Sequence, residues 1–364
     1  MVEWLAGNRI RGTSTERASG DFNNHLTGVG AVGGWKEVGR TTLEGVGDFI
    51  NVSSLPDKRY YMILHDVKPS GNVWTENTFN NDLTGGNTAN RRHVDGSADG
   101  NPQTSANYIY TSATQSTPMF GVYYIANKSD KEKLQIYHNV MGNTAGVGTV
   151  PRRYESFSKW ANTSDPISTF NLHNGSTGDF DTGSEVVVLG WDPDDTHTDN
   201  FWEQLASVEL ESAATEVNSG VFTSKKYLWI QAYIKSDGST MRPQIRVGNT
   251  TMDSDDNYAW VGGENGTEYP NDTANEMCDI KQGGANTDPV FFNGFIVNNS
   301  ANEKLMIGHS VIRNTAGAGY APKRIEIASK WVNISNQINV INVDDFNSGT
   351  NFGIGSIIKV WGSN

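Results

Sequence analysis

The sequence has 364 residues, a length that predicts about two domains. Aromatic residues reach 10% and there are ten tryptophans, which excludes a disordered chain because such rings can fill sizeable hydrophobic cores. The net charge of −13 excludes non-specific nucleic-acid binding, since contacts with phosphates need a basic face.

The chain opens with a polar segment, residues 1–34, that lies outside the internal repeat described below. Such a composition cannot bury enough apolar surface to fold alone. We interpret the segment either as a strand or arm packed on the first domain, or as a docking arm that orders on a partner. The docking residues expected in it are apolar anchors and cations: Trp4, Arg9, Ile10, Arg11 and Arg17. It shows no basic region followed by an apolar one, so we expect no secretory signal.

An internal duplication sets the predicted architecture. Trp35 matches Trp202 at an offset of 202 − 35 = 167 residues, and farther along His138 matches His309 at an offset of 171. Ser-Lys-Trp recurs at 158–160 and 329–331, and Asn-Thr-Ala-Gly recurs at 143–146 and 314–317. This colinear series predicts two homologous domains, 35–192 and 200–364, joined by the short acidic linker 193–199.

Each copy has a strand-like pattern. Aromatic and β-branched runs bounded by turn residues occupy positions 60–65, 120–125, 227–234 and 291–297, while 134–137 and 324–328 alternate with period two. No segment predicts a helix of ten or more residues. The sequence therefore predicts an all-β protein of two tandem, homologous, antiparallel β-sandwiches of jelly-roll type, preceded by the extended N-terminal arm.

Catalytic motifs are absent from the sequence. It has no His-Glu-x-x-His zinc pattern, no Gly-x-Ser-x-Gly elbow and no phosphate-binding Gly-x-x-x-x-Gly-Lys, and the glycine-rich stretches 143–148 and 314–319 predict plain loops. A glycosidase needs two opposed carboxylates about 5–9 Å apart, whereas most loop acids differ between the copies. We therefore expect no enzyme and no cofactor, with a glycan-degrading enzyme as a lesser alternative.

Two weaker metal or catalytic candidates remain. The duplicated His138 and His309 are each a candidate base or ligand, but no His or Cys lies near them in sequence, so we expect half-buried rings and no metal set. Asp253, Asp255 and Asn257 alternate as calcium ligands do, yet Tyr258 stands where an EF-hand needs glycine, which favours a solvated loop over calcium.

A single cysteine excludes an internal disulfide. Cys278 is expected to be a small buried hydrophobic residue rather than a nucleophile.

A series of motifs follows the same order in both copies, except at the central loop. The stretch 35–43 opens it, followed by the aromatic strand 59–64, the Phe-Asn-Asn-Asp loop 79–82, the Trp-containing turn 159–163 and Gly-Ser…Gly strands at 183–190 and 355–362. In the second copy Arg246 to Asn249 replaces the Phe-Asn-Asn-Asp pattern. The series resembles a β-sandwich module frequent in uncharacterised structural proteins of tailed phages and environmental viruses. That resemblance implies a virion component such as a fibre, spike or capsid-decorating protein, without catalytic residues.

The expected function is therefore that of a non-enzymatic viral structural protein, made in the host cytoplasm and exposed on the virion. We expect it to dock on other capsid or tail proteins through its arm and to form homo-oligomers such as trimers, because edge strands invite lateral assembly. No apolar run is long enough for membrane insertion. The alternative is a carbohydrate- or receptor-binding protein of a virion or cell surface, with Trp74, Trp229 and Trp260 stacking on glycans.

Overall fold

The computed structural model describes residues 34–97, 102–193, 195, 199–281, 287–346 and 350–364, and the backbone of 3–5 and 8–11. All regular structure in these ranges is β-strand, which confirms the all-β prediction. Within the same ranges there is no helix that is long and apolar enough to span a membrane. The strand counts below refer to the described ranges.

The N-terminal segment contributes one antiparallel hairpin, formed by β1 (Glu3–Leu5) and β2 (Asn8–Arg11). Trp4 lies on β1, and Arg9, Ile10 and Arg11 lie on β2. The side chains of these four residues, and the whole of Arg17, lie outside the described residues. The docking role of the arm therefore stays a prediction.

The first repeat folds into two antiparallel sheets. Its strands in chain order are β3 (Lys36–Thr42), β4 (Phe49–Ser53), β5 (Tyr60–Val67), β6 (Thr75–Phe79), β7 (Thr88–Val94), β8 (Gln103–Ala106), β9 (Ile109–Tyr110), β10 (Met119–Ala126), β11 (Lys133–Met141), β12 (Arg152–Trp160), β13 (Thr169–Asn174) and β14 (Glu185–Trp191). One sheet has eight strands in the order β3-β14-β5-β10-β11-β12-β7-β8, and the other has four in the order β4-β13-β6-β9.

The second repeat has the same plan. Its strands are β15 (Glu203–Glu209), β16 (Glu216–Asn218), β17 (Tyr227–Ile234), β18 (Pro243–Asn249), β19 (Thr251–Met252), β20 (Tyr258–Glu264), β21 (Thr267–Ala274), β22 (Cys278–Asp279), β23 (Val290–Val297), β24 (Lys304–Ile312), β25 (Lys323–Trp331), β26 (Val340–Asp345) and β27 (Ile357–Ser363). The eight-stranded sheet has the order β15-β27-β17-β23-β24-β25-β20-β21. The smaller sheet has the order β16-β26-β18-β19, and its fifth strand, β22, pairs with β18. Equal strand orders confirm two tandem, homologous sandwiches.

Each sandwich holds its own apolar core between its two sheets. A duplicated tryptophan is buried in both cores, and its indole N–H donates to a carboxylate on the loop before the neighbouring strand, β7 or β20. Trp160 donates to Asp82 Oδ2 at 2.8 Å, and Trp331 donates to Asp253 Oδ2 at 2.7 Å. A buried indole needs such an acceptor, so this pair belongs to the frame of the module.

The two eight-stranded sheets also pack against each other, which the sequence analysis did not predict. Val186 and Val188 of β14 point into the first core, whereas Val187 and Leu189 point to the second repeat. The side chains that meet there form the interdomain cluster: Met62, Leu64, Phe120, Val122, Val140, Val187, Leu189, Phe201, Trp202, Tyr227, Val261, Phe295, Val297, Leu305, Ile307 and Ala328. The result is one body with four layers of sheet, the eight-stranded pair in the middle.

Ion pairs and hydrogen bonds surround the interdomain cluster. Lys226 Nζ of the second repeat lies 3.0 Å from Glu185 Oε1 and 3.3 Å from Asp66 Oδ2 of the first, and the Tyr227 hydroxyl donates to Glu185 at 2.7 Å. Burial alone would raise the pKa of Glu185, but Lys226 and hydrogen bonds lower it to about 2. These contacts join the two repeats directly, in addition to the covalent connection through the linker.

Candidate functional site

The outer surface of the four-stranded sheet carries a row of aromatic and polar side chains. The register of β4, β13, β6 and β9 places Phe49, His173, Glu76 and Tyr110 side by side across the sheet. Their sequence neighbours, such as Ile50 on β4, point the other way into the core because strand side chains alternate. The row therefore faces away from the core.

Stacked rings define this surface, which we call the aromatic face: Phe49, Trp74, Glu76, Tyr108 and His173. The His173 ring is stacked between Phe49, at 4.6 Å between centroids, and Tyr108, at 5.2 Å. The buried Glu76 carboxylate accepts from Trp74 Nε1 at 2.9 Å and lies 3.4 Å from His173 Nδ1. Glu76 thereby holds both rings in fixed orientations, and Phe49 stays 54% exposed.

Gly175 makes room for the indole of the aromatic face. A Cβ atom at this position would overlap Trp74 Nε1 and would lie 2.8 Å from Glu76 Oε1. Any larger residue would therefore displace Trp74 from its acceptor.

The described residues of the second repeat do not reproduce the aromatic face. The equivalent row on its smaller sheet consists of Glu216, Asp344 and Gln244. Arg246 Nη1 pairs with Asp344 Oδ2 at 2.7 Å, so that surface is charged and internally paired. The two outer surfaces thus differ although the frames agree.

A second group of polar residues lies between the two large sheets. The register places His138 on β11 opposite Glu155 on β12, and Glu155 opposite His93 on β7. His309 occupies the equivalent position on β24 and faces His138 across the interface, with ring centroids 4.4 Å apart. We call His93, His138, Glu155 and His309 the histidine cluster.

Glu155 is the centre of the histidine cluster. Its Oε1 lies 3.4 Å from His138 Nδ1 and 3.4 Å from His309 Nε2, while its Oε2 lies 2.5 Å from His93 Nε2. Burial would raise the pKa of Glu155, but the three imidazoles outweigh it and hold the pKa well below its usual range. Burial, followed by the approach of His309, lowers the pKa of His138 and favours its neutral ring.

The sequence does not predict this cluster. His138 and His309 have no His or Cys near them in sequence, but the stacked sheets bring both rings to one carboxylate. His138 lies within β11, which continues to Met141 beyond the predicted run 134–137. Both rings are partly exposed, as expected.

The three tryptophans proposed for glycan stacking lie in different environments. Trp74 is half-buried on the aromatic face. Trp229 lies at the domain interface, stacked on Phe295 at 5.5 Å and close to Trp361 at 5.0 Å. Trp260 is only 2% exposed and donates to Glu276, so the expectation of an exposed ring there is wrong, because the indole fills the second core.

The calcium candidates form a hydrogen-bonded loop. Asp253 Oδ1 accepts from the Asp255 backbone N–H at 3.1 Å and Oδ2 accepts from Asn257 Nδ2 at 3.0 Å, in addition to Trp331. With N–H groups directed at its oxygens, Asp253 stabilises the frame instead of offering free lone pairs to a cation. Cys278 is fully buried in the second core, and burial raises the pKa of its thiol, as expected for a packing residue.

A pocket between the two large sheets is lined by two carboxylates, Glu155 and Glu326. They do not form the acid pair that a glycosidase needs. A general acid needs a raised pKa, whereas the pKa of Glu155 is lowered and Glu326 Oε2 is paired with Arg153 Nη2 at 3.0 Å.

Comparisons with known proteins assign no family to this chain. No family model matches the sequence, and no curated protein matches it. A search of the solved structures found 19 matching chains. One is the mouse laminin alpha1 chain, domains LG4-5, at 8% identity over 92% of each chain with a TM-score of 0.18. A likeness this weak carries no information on function.

Proposed function

We propose that the protein is a non-enzymatic structural component exposed on a virion, docked to capsid or tail proteins through residues 1–34. The observation that carries this proposal is the interdomain cluster, which joins a duplicated sandwich into one body with four layers of sheet. A body braced in this way suits a load-bearing or decorating element. The resemblance to viral β-sandwich modules supports the same setting.

The test measures incorporation into particles. We expect the chain in purified particles, with cross-links from residues 1–34 to a second particle protein, and we expect deletion of 1–34 to abolish incorporation. A matched control deletes the exposed loop 315–319 and should be incorporated normally. Absence of the chain from the particles would overturn the proposal, and normal incorporation of the 1–34 deletion would overturn the docking role.

The aromatic face favours a second candidate function, carbohydrate binding. Sugar rings stack on exposed aromatic planes. Phe49 offers an exposed ring, and the buried Glu76 carboxylate fixes the orientation of the partly exposed Trp74 ring. Among the described residues the combination occurs on the first repeat alone, so one ligand per chain is expected.

A glycan array with the full chain tests this second function. Binding should be lost in Phe49→Ala and in Trp74→Ala. Phe346→Ala is the matched control, because Phe346 is also 54% exposed but lies beside the smaller sheet of the second repeat. Equal binding by the Phe49 and Phe346 variants, or no binding by the wild-type chain, would contradict the assignment.

A further inference from the structure

We propose that the histidine cluster binds one divalent transition-metal ion, preferably Zn²⁺, through His138 and Glu155 of the first repeat and His309 of the second. The site lies between the large sheets, apart from the aromatic face. The inference holds whether or not the chain belongs to a virion or binds glycans.

The distances between the three ligand atoms fit a tetrahedral ion. Zn²⁺ binds imidazole nitrogen and carboxylate oxygen at about 2.0–2.1 Å, so neighbouring ligands of a regular tetrahedron lie about 3.3–3.4 Å apart. Glu155 Oε1 lies 3.4 Å from His138 Nδ1 and 3.4 Å from His309 Nε2. All three atoms lie within 4.8 Å of one another, so one ion can reach them together.

The donor set selects the class of metal. Two imidazoles and one carboxylate suit Zn²⁺ and its transition-metal neighbours, whereas Ca²⁺ and Mg²⁺ prefer oxygen ligands. His93 lies on the other carboxylate oxygen of Glu155, at 2.5 Å from Oε2. A hydrogen bond from His93 orients the carboxylate for metal binding, as hydrogen bonds to metal ligands generally do.

The electrostatic surroundings of the cluster favour a cation. The carboxylates of Glu155, Glu326 and Glu268 surround the guanidinium of Arg153, and Arg324 Nη1 lies 3.4 Å from Glu326. Three carboxylates therefore lie beside two guanidinium groups in this part of the interface, which favours the binding of a cation.

One ligand atom needs a partner that the described residues do not provide. His138 Nδ1 is buried and, despite its distance of 3.4 Å from Glu155, has no hydrogen bond within the described part of the chain. A buried polar atom without a partner is unfavourable, and a metal bond would satisfy it. A pocket of about 320 Å³ lined by His138, Glu155 and His309 gives access, since the His309 side chain is 37% exposed.

Because the ligands come from both repeats, a bound ion would connect the two large sheets. An ion that binds the folded chain and not the unfolded one raises the midpoint of thermal unfolding. Metal binding should therefore stabilise the stacked arrangement of the two sandwiches.

The test uses the full chain after treatment with a chelator. Isothermal titration with ZnCl₂ should give one equivalent per chain, and Co²⁺ should give the visible absorption of a tetrahedral site. His138→Gln, His309→Gln and Glu155→Gln should each weaken Zn²⁺ binding by more than about 100-fold, because loss of a residue that only hydrogen-bonds a metal ligand already costs about 10–100-fold. His173→Gln, which changes a half-buried histidine paired with Glu76, is the matched control and should bind normally.

Several results would overturn the proposal. The first is no Zn²⁺ binding by the folded wild-type chain. The second is binding that His309→Gln leaves unchanged, since this partly exposed residue can be replaced with little effect on folding. The third is equal loss of binding in His173→Gln. Circular dichroism of each variant confirms the fold before titration.

Discussion

Truncation of Phe295 tests the stacking of the two sandwiches. Phe295 is 4% exposed and lies 5.5 Å from Trp229, 6.0 Å from Trp202 and 6.4 Å from Tyr124 between ring centroids. Phe295→Ala leaves a cavity among these rings, and buried Phe→Ala changes cost about 3–5 kcal/mol. We expect a loss of about 4 kcal/mol in the free energy of unfolding. With an unfolding entropy of about 2.1 cal/mol/K per residue, the midpoint temperature of thermal unfolding should fall by about 5 °C if the chain unfolds as one unit.

Phe291 provides the matched control for this change. It lies on the same strand and the same face as Phe295, but it is 41% exposed beyond the edge of the interface. Phe291→Ala should cost about 0.5 kcal/mol, as surface changes do. Urea denaturation, monitored by tryptophan fluorescence and by circular dichroism, measures the free energy of unfolding of both variants. If the two variants lose equal stability, the large sheets do not pack together in solution.

Three further changes test separate parts of the structure by urea denaturation. Burial lowers the pKa of His65 to about 3. Below about pH 6.5 the unfolded chain binds a proton that the folded chain does not, so the free energy of unfolding is largest above this pH and decreases as the pH falls. The free energy of unfolding should drop by about 2 kcal/mol from pH 8 to pH 5, and His65→Gln should reduce this pH dependence. An unchanged pH dependence in the variant would show that His65 is not buried as a neutral ring. Asp253→Ala leaves the Trp331 indole without its acceptor and should cost about 1–3 kcal/mol, whereas Asp255→Ala, on the exposed part of the loop, should cost little. An equal loss of stability in the two variants would show that the hydrogen bond from Trp331 to Asp253 does not stabilise the fold. Glu185→Gln should cost about 2–3 kcal/mol above pH 4.5, and its difference from wild type should vanish toward pH 2. A difference that persists at pH 2 would show that charge is not the cause.

The sandwich architecture was predictable because the repeat and the strand pattern are local properties of the sequence. The colinear offset aligned the copies, and runs such as 227–234 marked their strands. The stacking of the two sandwiches also has a local signal in the sequence. The run from Val186 to Leu189 is apolar at every position, as expected for a strand covered on both faces, whereas a strand with one wet face alternates.

The sites were not predictable in the same way, because their residues are distant in sequence. Phe49, Tyr108 and His173 come from three separate segments and meet only through the register of the smaller sheet. His138 and His309 meet because the equivalent strands β11 and β24 face each other across the interface between the two large sheets. A duplicated polar residue on an outward strand face is the sequence signal that could have found this pair. Trp260 shows the opposite error, since residue type alone does not reveal which face of a strand is buried.

Cleavage of the linker tests most directly whether the two repeats form one body. A protease site inserted within residues 196–198 allows the folded chain to be cut between the repeats. If the interdomain cluster joins them, the two fragments should elute together at the volume of the uncut chain and unfold in one transition. Elution of two half-size species, each unfolding independently, would contradict the stacked structure.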